Sequence, residues 1–342
     1  MSLRGRLFDS GPDDRAVSMQ GYAEAFDARI RSGAGLAWDP LPLPWPSLNA
    51  ALGGGVFGER IYTLGGAFGI GKTSFLLQAA AHIARSGRAA VLAIFYEHSG
   101  LEMLHRLVCQ ESAADRHGGL SLAELHALLV RDAMRRHDGL DRLFREEPAT
   151  ADAFAGVAEY WGALYVKHGH TRKTTLGQIV DDLEDVARQA RKPLVLAIDS
   201  LQMVPVERSL GPVGKAERID RLMQELKALA SIDGYGCPVL LVSKADRAAL
   251  KRGRIRAEDL DDGGDNEGGA IAYGSDVVML ANWPTSAGQR EARRLTDAGR
   301  SERVVWTIDK NRVGPTGSVE LDLYGRTFSW QEPAAAAPRR AA

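Results

Sequence analysis

The chain has 342 residues, 45% of them hydrophobic and 25% charged, and a formal net charge of −1. This is the balance of a soluble globular protein; it excludes a globally basic one, so any nucleic-acid contact must come from locally concentrated cations. Cys109 and Cys237 sit in no metal-ligand spacing and indicate no disulfide framework, and no apolar run reaches membrane-spanning length, so a cytoplasmic protein with no membrane partner is expected.

Residues 1–14 carry no periodic pattern. From Arg15 to Ile30, the apolar residues Tyr22, Phe26 and Ile30 recur every four positions, as on one face of a helix, and Gly33 and Gly35 end it. Proline at every second position from Pro40 to Pro46 forbids helix or central strand. An N-terminal arm (1–35) is therefore expected ahead of a main domain (36–332), with the Ala/Pro/Arg-rich end (333–342) as a disordered tail.

The main domain alternates predicted strands and helices. Arg60–Leu64 reads as a strand entering a glycine loop, and Thr73–Arg85 as a helix closed by Gly87. Ala89–Tyr96 is an apolar run of buried-strand type. Ser121 with Glu124, and Thr175 with Gln178, form capping-box patterns before helical runs; the second run carries Leu176, Ile179, Val180, Leu183 and Val186. Leu194–Ile198 is the next strand, and Ile219, Leu222, Met223, Leu226 and Leu229 mark a helix. Val239–Val242 and Val277–Leu280 are further strands, while Val304–Ile308 and Val319–Leu323 alternate with period two, as antiparallel strands do. The expected class is α/β: a mostly parallel central sheet, helices on both faces, and C-terminal antiparallel strands.

Gly66-Ala67-Phe68-Gly69-Ile70-Gly71-Lys72-Thr73 matches the phosphate-loop pattern G-x-x-x-x-G-K-[ST]. Glycines let the backbone curl its N–H groups inward at phosphate oxygens, and the helix starting at Lys72 turns its positive dipole end the same way. Lys72 is expected on the β- and γ-phosphates of ATP and Thr73 on Mg²⁺, with Ser74 completing the binding segment. Leu194–Asp199 is an apolar strand ending in an acid, which places Asp199 at the ligand crevice as a second Mg²⁺ anchor. Glu97 ends the strand Ala89–Tyr96, expected beside the phosphate-loop strand, where a carboxylate can orient and deprotonate an attacking water.

These residues resemble a known family. Leu52–Ile61, leading into the loop, looks like the opening of RecA-superfamily ATPases of the DnaB, RadA and KaiC groups. Ile198-Asp199-Ser200-Leu201-Gln202-Met203 is similar to both DnaB helicases and RadA. Glu97 followed by Met103, Arg106 and Leu107, the stretch Glu267–Met279, and Lys310-Asn311-Arg312-Val313-Gly314-Pro315-Thr316-Gly317-Ser318-Val319 resemble DnaB segments. The resemblance implies a RecA-like core over about Leu36–Trp330, Gln202 at the nucleotide, and Lys310 and Arg312 acting on the ATP of a neighbouring copy. It thus implies a homo-oligomer, most simply a hexamer, with the arm docked on the adjacent subunit. Departures are plain. Only Met1–Ala34 precedes the core where DnaB has a large helical domain, Ser243-Lys244 stands where DnaB has serine and glutamine, and Asn266 replaces an arginine.

Two segments could face a ring channel, Pro205–Arg218 and Ala245–Asn266. The second carries Arg247, Lys251, Arg252, Arg254 and Arg256, cations suited to single-stranded DNA phosphates, but Glu258, Asp259, Asp261, Asp262 and Asp265 follow at once. Two readings stay open: a DnaB-like motor on single-stranded DNA, or a KaiC-like ATPase whose nucleotide state switches assembly with a protein partner.

Overall fold

Strands built of consecutive apolar residues must be covered on both sides, and this dictates the layering. The computed structural model describes residues 18–32, 39–113, 119–130, 148–205, 214–231, 235–246, 249, 254–260, 269–284 and 301–334. In chain order these form α1 (Met19–Ser32), α2 (Pro46–Ala51), β1 (Ile61–Gly66), α3 (Lys72–Arg85), β2 (Ala90–Phe95), α4 (Gly100–Ser112), α5 (Leu122–Leu128), α6 (Pro148–Ala158), β3 (Leu164–His168), α7 (Leu176–Ala190), β4 (Leu194–Asp199), α8 (Lys215–Ala230), β5 (Val239–Val242), α9 (Ala270–Gly274), β6 (Val277–Asn282), β7 (Glu302–Asn311), β8 (Gly317–Tyr324) and β9 (Ser329–Gln331).

The strands make one sheet in the order β3-β2-β4-β5-β1-β6-β7-β8-β9. From β3 to β6 neighbours run parallel; β7, β8 and β9 continue antiparallel. Side chains alternate between faces. Val91, Ala93 and Phe95 of β2 join the core under α3 and α4, while Leu92 and Ile94 join the core under α7 and α8. This is the expected α/β class with its antiparallel C-terminal strands.

Several local expectations shift. The arm helix spans Met19–Ser32 among the described residues, and Arg15 lies outside them. Its apolar face stays exposed: Tyr22 58%, Phe26 45% and Ile30 62%. The Ser121–Glu124 box is reciprocal, as expected, and opens α5. At Thr175 the side chain accepts the Gln178 N–H, which caps α7. Helix α4 and strands β3 and β9 were not expected. Helix α4 opens with a further capping box, Ser99 with Glu102. The largest correction concerns β2, expected beside the phosphate-loop strand: β4 and β5 lie between β2 and β1. Most of the basic segment (Arg247, Lys251 and Arg252), the acids Asp261, Asp262 and Asp265, Asn266, Glu267 and residues 335–342 of the tail lie outside the described residues.

Aromatic packing anchors α3 to the C-terminal strands. Phe75, fully buried, stacks on Trp45 with ring centroids 4.1 Å apart, meets Trp306 at 4.1 Å and receives Trp330 edge-on at 5.9 Å. Replacing Phe75 by Ala empties the centre of this cluster. A loss of about 3–5 kcal/mol in unfolding free energy is expected, the usual scale for a buried Phe, read by denaturant titration of tryptophan fluorescence.

Candidate functional site

Strand β1 ends at Gly66, the chain curls through Ala67–Ile70, and α3 begins at Lys72. Two glycines make the curl possible. At Gly66, φ is +148°, and an added Cβ would lie 2.8 Å from the Ala281 carbonyl oxygen. At Gly71, φ is +83°, and a Cβ would press on Leu323 and Trp330 at 3.0 Å. No side chain caps α3, so the N–H groups of its first turn are left to a ligand. Ile70 is buried and pins the loop, Phe68 stands exposed at its tip, and Ser74 is buried at the start of the helix.

The Lys72 ammonium arches back and donates to the carbonyls of Gly66 (2.9 Å) and Ala67 (2.8 Å). Burial pushes its pKa down to about 8, so it stays protonated at neutral pH. The Thr73 hydroxyl donates to Asp199 Oδ2 at 2.5 Å. Burial raises the Asp199 carboxyl above its ordinary range, and the Thr73 hydroxyl and Lys72 charge pull it back. A carboxylate and a hydroxyl oxygen this close, with the carboxylate's charge disfavoured by burial, fit a hard divalent cation such as Mg²⁺.

Lys72, Thr73, Ser74 and Asp199 line a cavity of about 370 Å³, together with Phe68, Gly69 and Gly71 of the loop. Glu97 lines it too, although its strand is not next to β1, because the ends of β2, β4 and β5 share the same edge of the sheet. Its Oε1 accepts from Lys244 Nζ at 2.8 Å, and this hydrogen bond, more than any other influence, holds the Glu97 carboxyl below its usual range. Gln202 does not line the cavity. Its amide donates to Ser243 Oγ (2.9 Å) and its carbonyl oxygen accepts the Lys244 backbone N–H (3.2 Å), so it braces the end of β5 instead.

Arg106, Phe328 and Glu302 line the cavity and were not singled out as ligand contacts from sequence. The Arg106 guanidinium lies 4.9 Å from the Phe328 ring centroid, and both line the cavity. A flat cation over an aromatic face offers a platform for a planar base. Arg106 belongs to the segment whose resemblance to DnaB was noted, which was its one signal. Phe328 lies in the β8–β9 turn, held by its carbonyl accepting from Gln110 Nε2 at 2.7 Å, and no local pattern announces it.

Lys310 and Arg312 lie elsewhere. Lys310 pairs with Val278 in register, and Val277 with Tyr62 near the start of β1, whereas Gly66 at the far end of β1 pairs with Ala281. From Tyr62 to Gly66 the strand climbs about 13 Å at roughly 3.3 Å per residue, so the pair sits at the sheet edge opposite the phosphate loop. There Lys310 Nζ donates to the carbonyls of Ala272 (2.7 Å) and Tyr273 (2.9 Å), and Arg312 donates to Tyr273 at 3.3 Å. Arg312 also lies 3.7 Å from Asp276, a buried carboxylate that binds Lys227 (2.5 Å) and the Ile61 N–H (2.9 Å).

A phosphate loop at the carboxyl edge of a mostly parallel sheet, with an acid two strands away at the same edge, defines a P-loop nucleotide site on a RecA-like core. The family model of the DnaB-like helicase C terminal domain matches residues 154–332, just over half the chain, and the chain belongs to that family. The match begins after the phosphate loop and Glu97. No curated protein sequence matches. Among solved structures, the ATPase domain of G40P is similar over 94% of this chain and 100% of that one, with a TM-score of 0.68 at 16% identity. A DnaB-like replicative helicase, whose structure was described with its interactions with primase, is similar over 95% of this chain and 69% of that one, with a TM-score of 0.66 at 17% identity. At such identities the likeness is one of fold. No helix among the described residues is long and apolar enough to cross a membrane.

Replacing Lys72 by Ala removes the ammonium at the centre of the loop. Isothermal titration is expected to show ATP binding lost or weakened at least about a hundredfold, the scale of a charge-assisted contact in a partly buried site; wild-type affinity would remove Lys72 from the site.

Proposed function

We propose that the chain is an ATP-hydrolysing, ring-forming motor subunit of the DnaB-like kind that acts on single-stranded DNA. The observation that carries the reading is the convergence, on one sheet edge, of the phosphate loop, Lys72, the Thr73–Asp199 pair and an ionised Glu97.

In this reading the triphosphate lies along the N-terminus of α3, with Lys72 on its β- and γ-oxygens. Thr73 and Asp199 would hold Mg²⁺, which when bound neutralises charge on the phosphate oxygens. Glu97 accepts a proton from a water molecule whose oxygen bonds to the γ-phosphorus as the bond to the bridging oxygen breaks, leaving ADP and inorganic phosphate. Charge building on the γ-phosphoryl oxygens calls for a further cation. Lys310 and Arg312 stand at the opposite edge of their own subunit, so a second copy is their natural target. This supports a homo-oligomer, most simply a hexamer. The exposed face of α1 at Tyr22, Phe26 and Ile30 then has a place to dock, on the adjacent subunit.

Contact with DNA rests on the cations of the 245–266 segment. Of these, Arg254 is exposed, and Arg256 lies at the surface 3.5 Å from Glu258, a loose pair that a phosphate can displace. Such contacts read backbone charge and not sequence, so binding weakens steeply with salt.

The test is steady-state hydrolysis with and without single-stranded DNA, on wild type and Glu97→Gln. Wild type is expected to hydrolyse ATP faster with DNA. The variant is expected to bind ATP but turn over at least about a hundredfold more slowly, the scale of a positioned base. Hydrolysis indifferent to DNA would favour nucleotide-switched assembly with a protein partner, and full turnover in Glu97→Gln would remove Glu97 from the chemistry.

A further inference from the structure

The Lys244–Glu97 ion pair has no part in the hydrolytic steps above, and it engages one oxygen of the carboxylate those steps use. A carboxylate whose Oε1 accepts from an ammonium at 2.8 Å is held in orientation and made a weaker base toward water. Lys244 lies two residues past the end of β5, and its backbone is fixed: its N–H is held by Gln202, which is itself tied to Ser243. The side chain alone can move, a four-carbon stem that passes Met203 Sδ, with Nζ 3.9 Å from the sulfur.

The pair is lightly held. The Glu97 side chain is 55% exposed and that of Lys244 29% exposed, and ion pairs so wetted contribute little. Lys244 lines the same cavity as Lys72 and Thr73 and lies close enough to Lys72 for the two ammoniums to repel. An anion entering between them is attracted by both, and the terminal phosphate of ATP carries more charge than the Glu97 carboxylate.

We propose that Lys244 is a latch on Glu97 released by the γ-phosphate. In the empty or ADP-filled site the ammonium holds the carboxylate. The terminal phosphate of ATP draws Lys244 across the cavity, which restores the basicity of Glu97 toward water and adds a cation beside the γ-phosphate. The chain thereby couples its base to the presence of the one phosphate it must cleave. This rests on the hydrolytic reading of the site.

The experiment compares wild type, Lys244→Met, Lys244→Arg and Glu97→Gln, each with Mg²⁺, for affinity toward ADP and toward a non-hydrolysable ATP analogue. Met keeps the unbranched stem without the charge. Lys244→Met is expected to bind ADP within about twofold of wild type while its preference for the analogue over ADP falls about tenfold, the lower end for a hydrogen bond to a charged group. Lys244→Arg is expected to recover most of that preference. Glu97→Gln, in which no carboxylate competes for the ammonium, is expected to bind the analogue several-fold tighter than wild type and ADP no tighter. ADP and analogue affinities that change together in Lys244→Met, or an undiminished preference for the analogue, would overturn the latch; so would Glu97→Gln binding the analogue no tighter. If wild type turns over ATP while these results appear, only the latch fails; if wild type binds no nucleotide, the hydrolytic reading fails and the latch with it.

Discussion

The C-terminal strand β9 grips the phosphate loop through one residue, Trp330. Its indole N–H donates to the Gly71 carbonyl at 3.1 Å, its backbone exchanges two hydrogen bonds with the Gln78 amide at 2.7 and 2.9 Å, and its carbonyl accepts from the Trp45 indole at 3.1 Å. Its ring meanwhile packs on Phe75 and Trp306. These contacts fix the start of α3 in rotation and in height, so Lys72 and Thr73 face the sheet edge and not solvent. Buried polar groups that are all paired rigidify what they join, and here they join the two ends of the domain. The antiparallel strands after β6 therefore help build the cavity, and β7 places Glu302 on its lining.

Charge at that edge is arranged in opposition. Lys72, Lys244 and Arg106 face Asp199, Glu97 and Glu302, so the cavity lining is close to balanced, and burial already lowers the Lys72 pKa and raises that of Asp199. Phosphates and a divalent cation would change both partners at once: the anion compensates the ammoniums and the cation the carboxylates. Such a site favours the metal–nucleotide complex over either component alone. Arg106 over Phe328 adds a flat cation on an aromatic face, a platform on which a planar base can stack.

Sequence made the local pieces legible. The phosphate loop is a contiguous run whose every position has a backbone reason, and Asp199 ends an apolar run of strand length. Glu97 was readable as a strand-end carboxylate, but its neighbours were not: strand order depends on pairings between distant segments, and nothing in Ala89–Tyr96 says that β4 and β5 intervene before β1. Strand β3 escaped because Lys167 and His168 break its apolar run, as suits the edge of the sheet. Gln202 was expected at the nucleotide on resemblance, yet it is absent from the cavity lining and its amide bonds Ser243 and the Lys244 backbone. The Arg106–Phe328 stack joins α4 to the β8–β9 turn, a pairing that no periodicity encodes. The departure at Lys244 was visible in sequence as a change of residue, but its partner became visible only in three dimensions.

The central claim is that each nucleotide site is built by one chain and completed by the Lys310–Arg312 edge of another. Mixing two inactive variants tests it most directly. Lys72→Ala subunits keep Arg312 but lack the phosphate ligand, and Arg312→Ala subunits keep the phosphate loop but lack the guanidinium. Each alone is expected to hydrolyse almost no ATP, and a mixture allowed to exchange subunits is expected to regain activity at interfaces where an intact loop meets an intact Arg312. A mixture as inactive as its components, under conditions where subunit exchange is verified, would contradict the account.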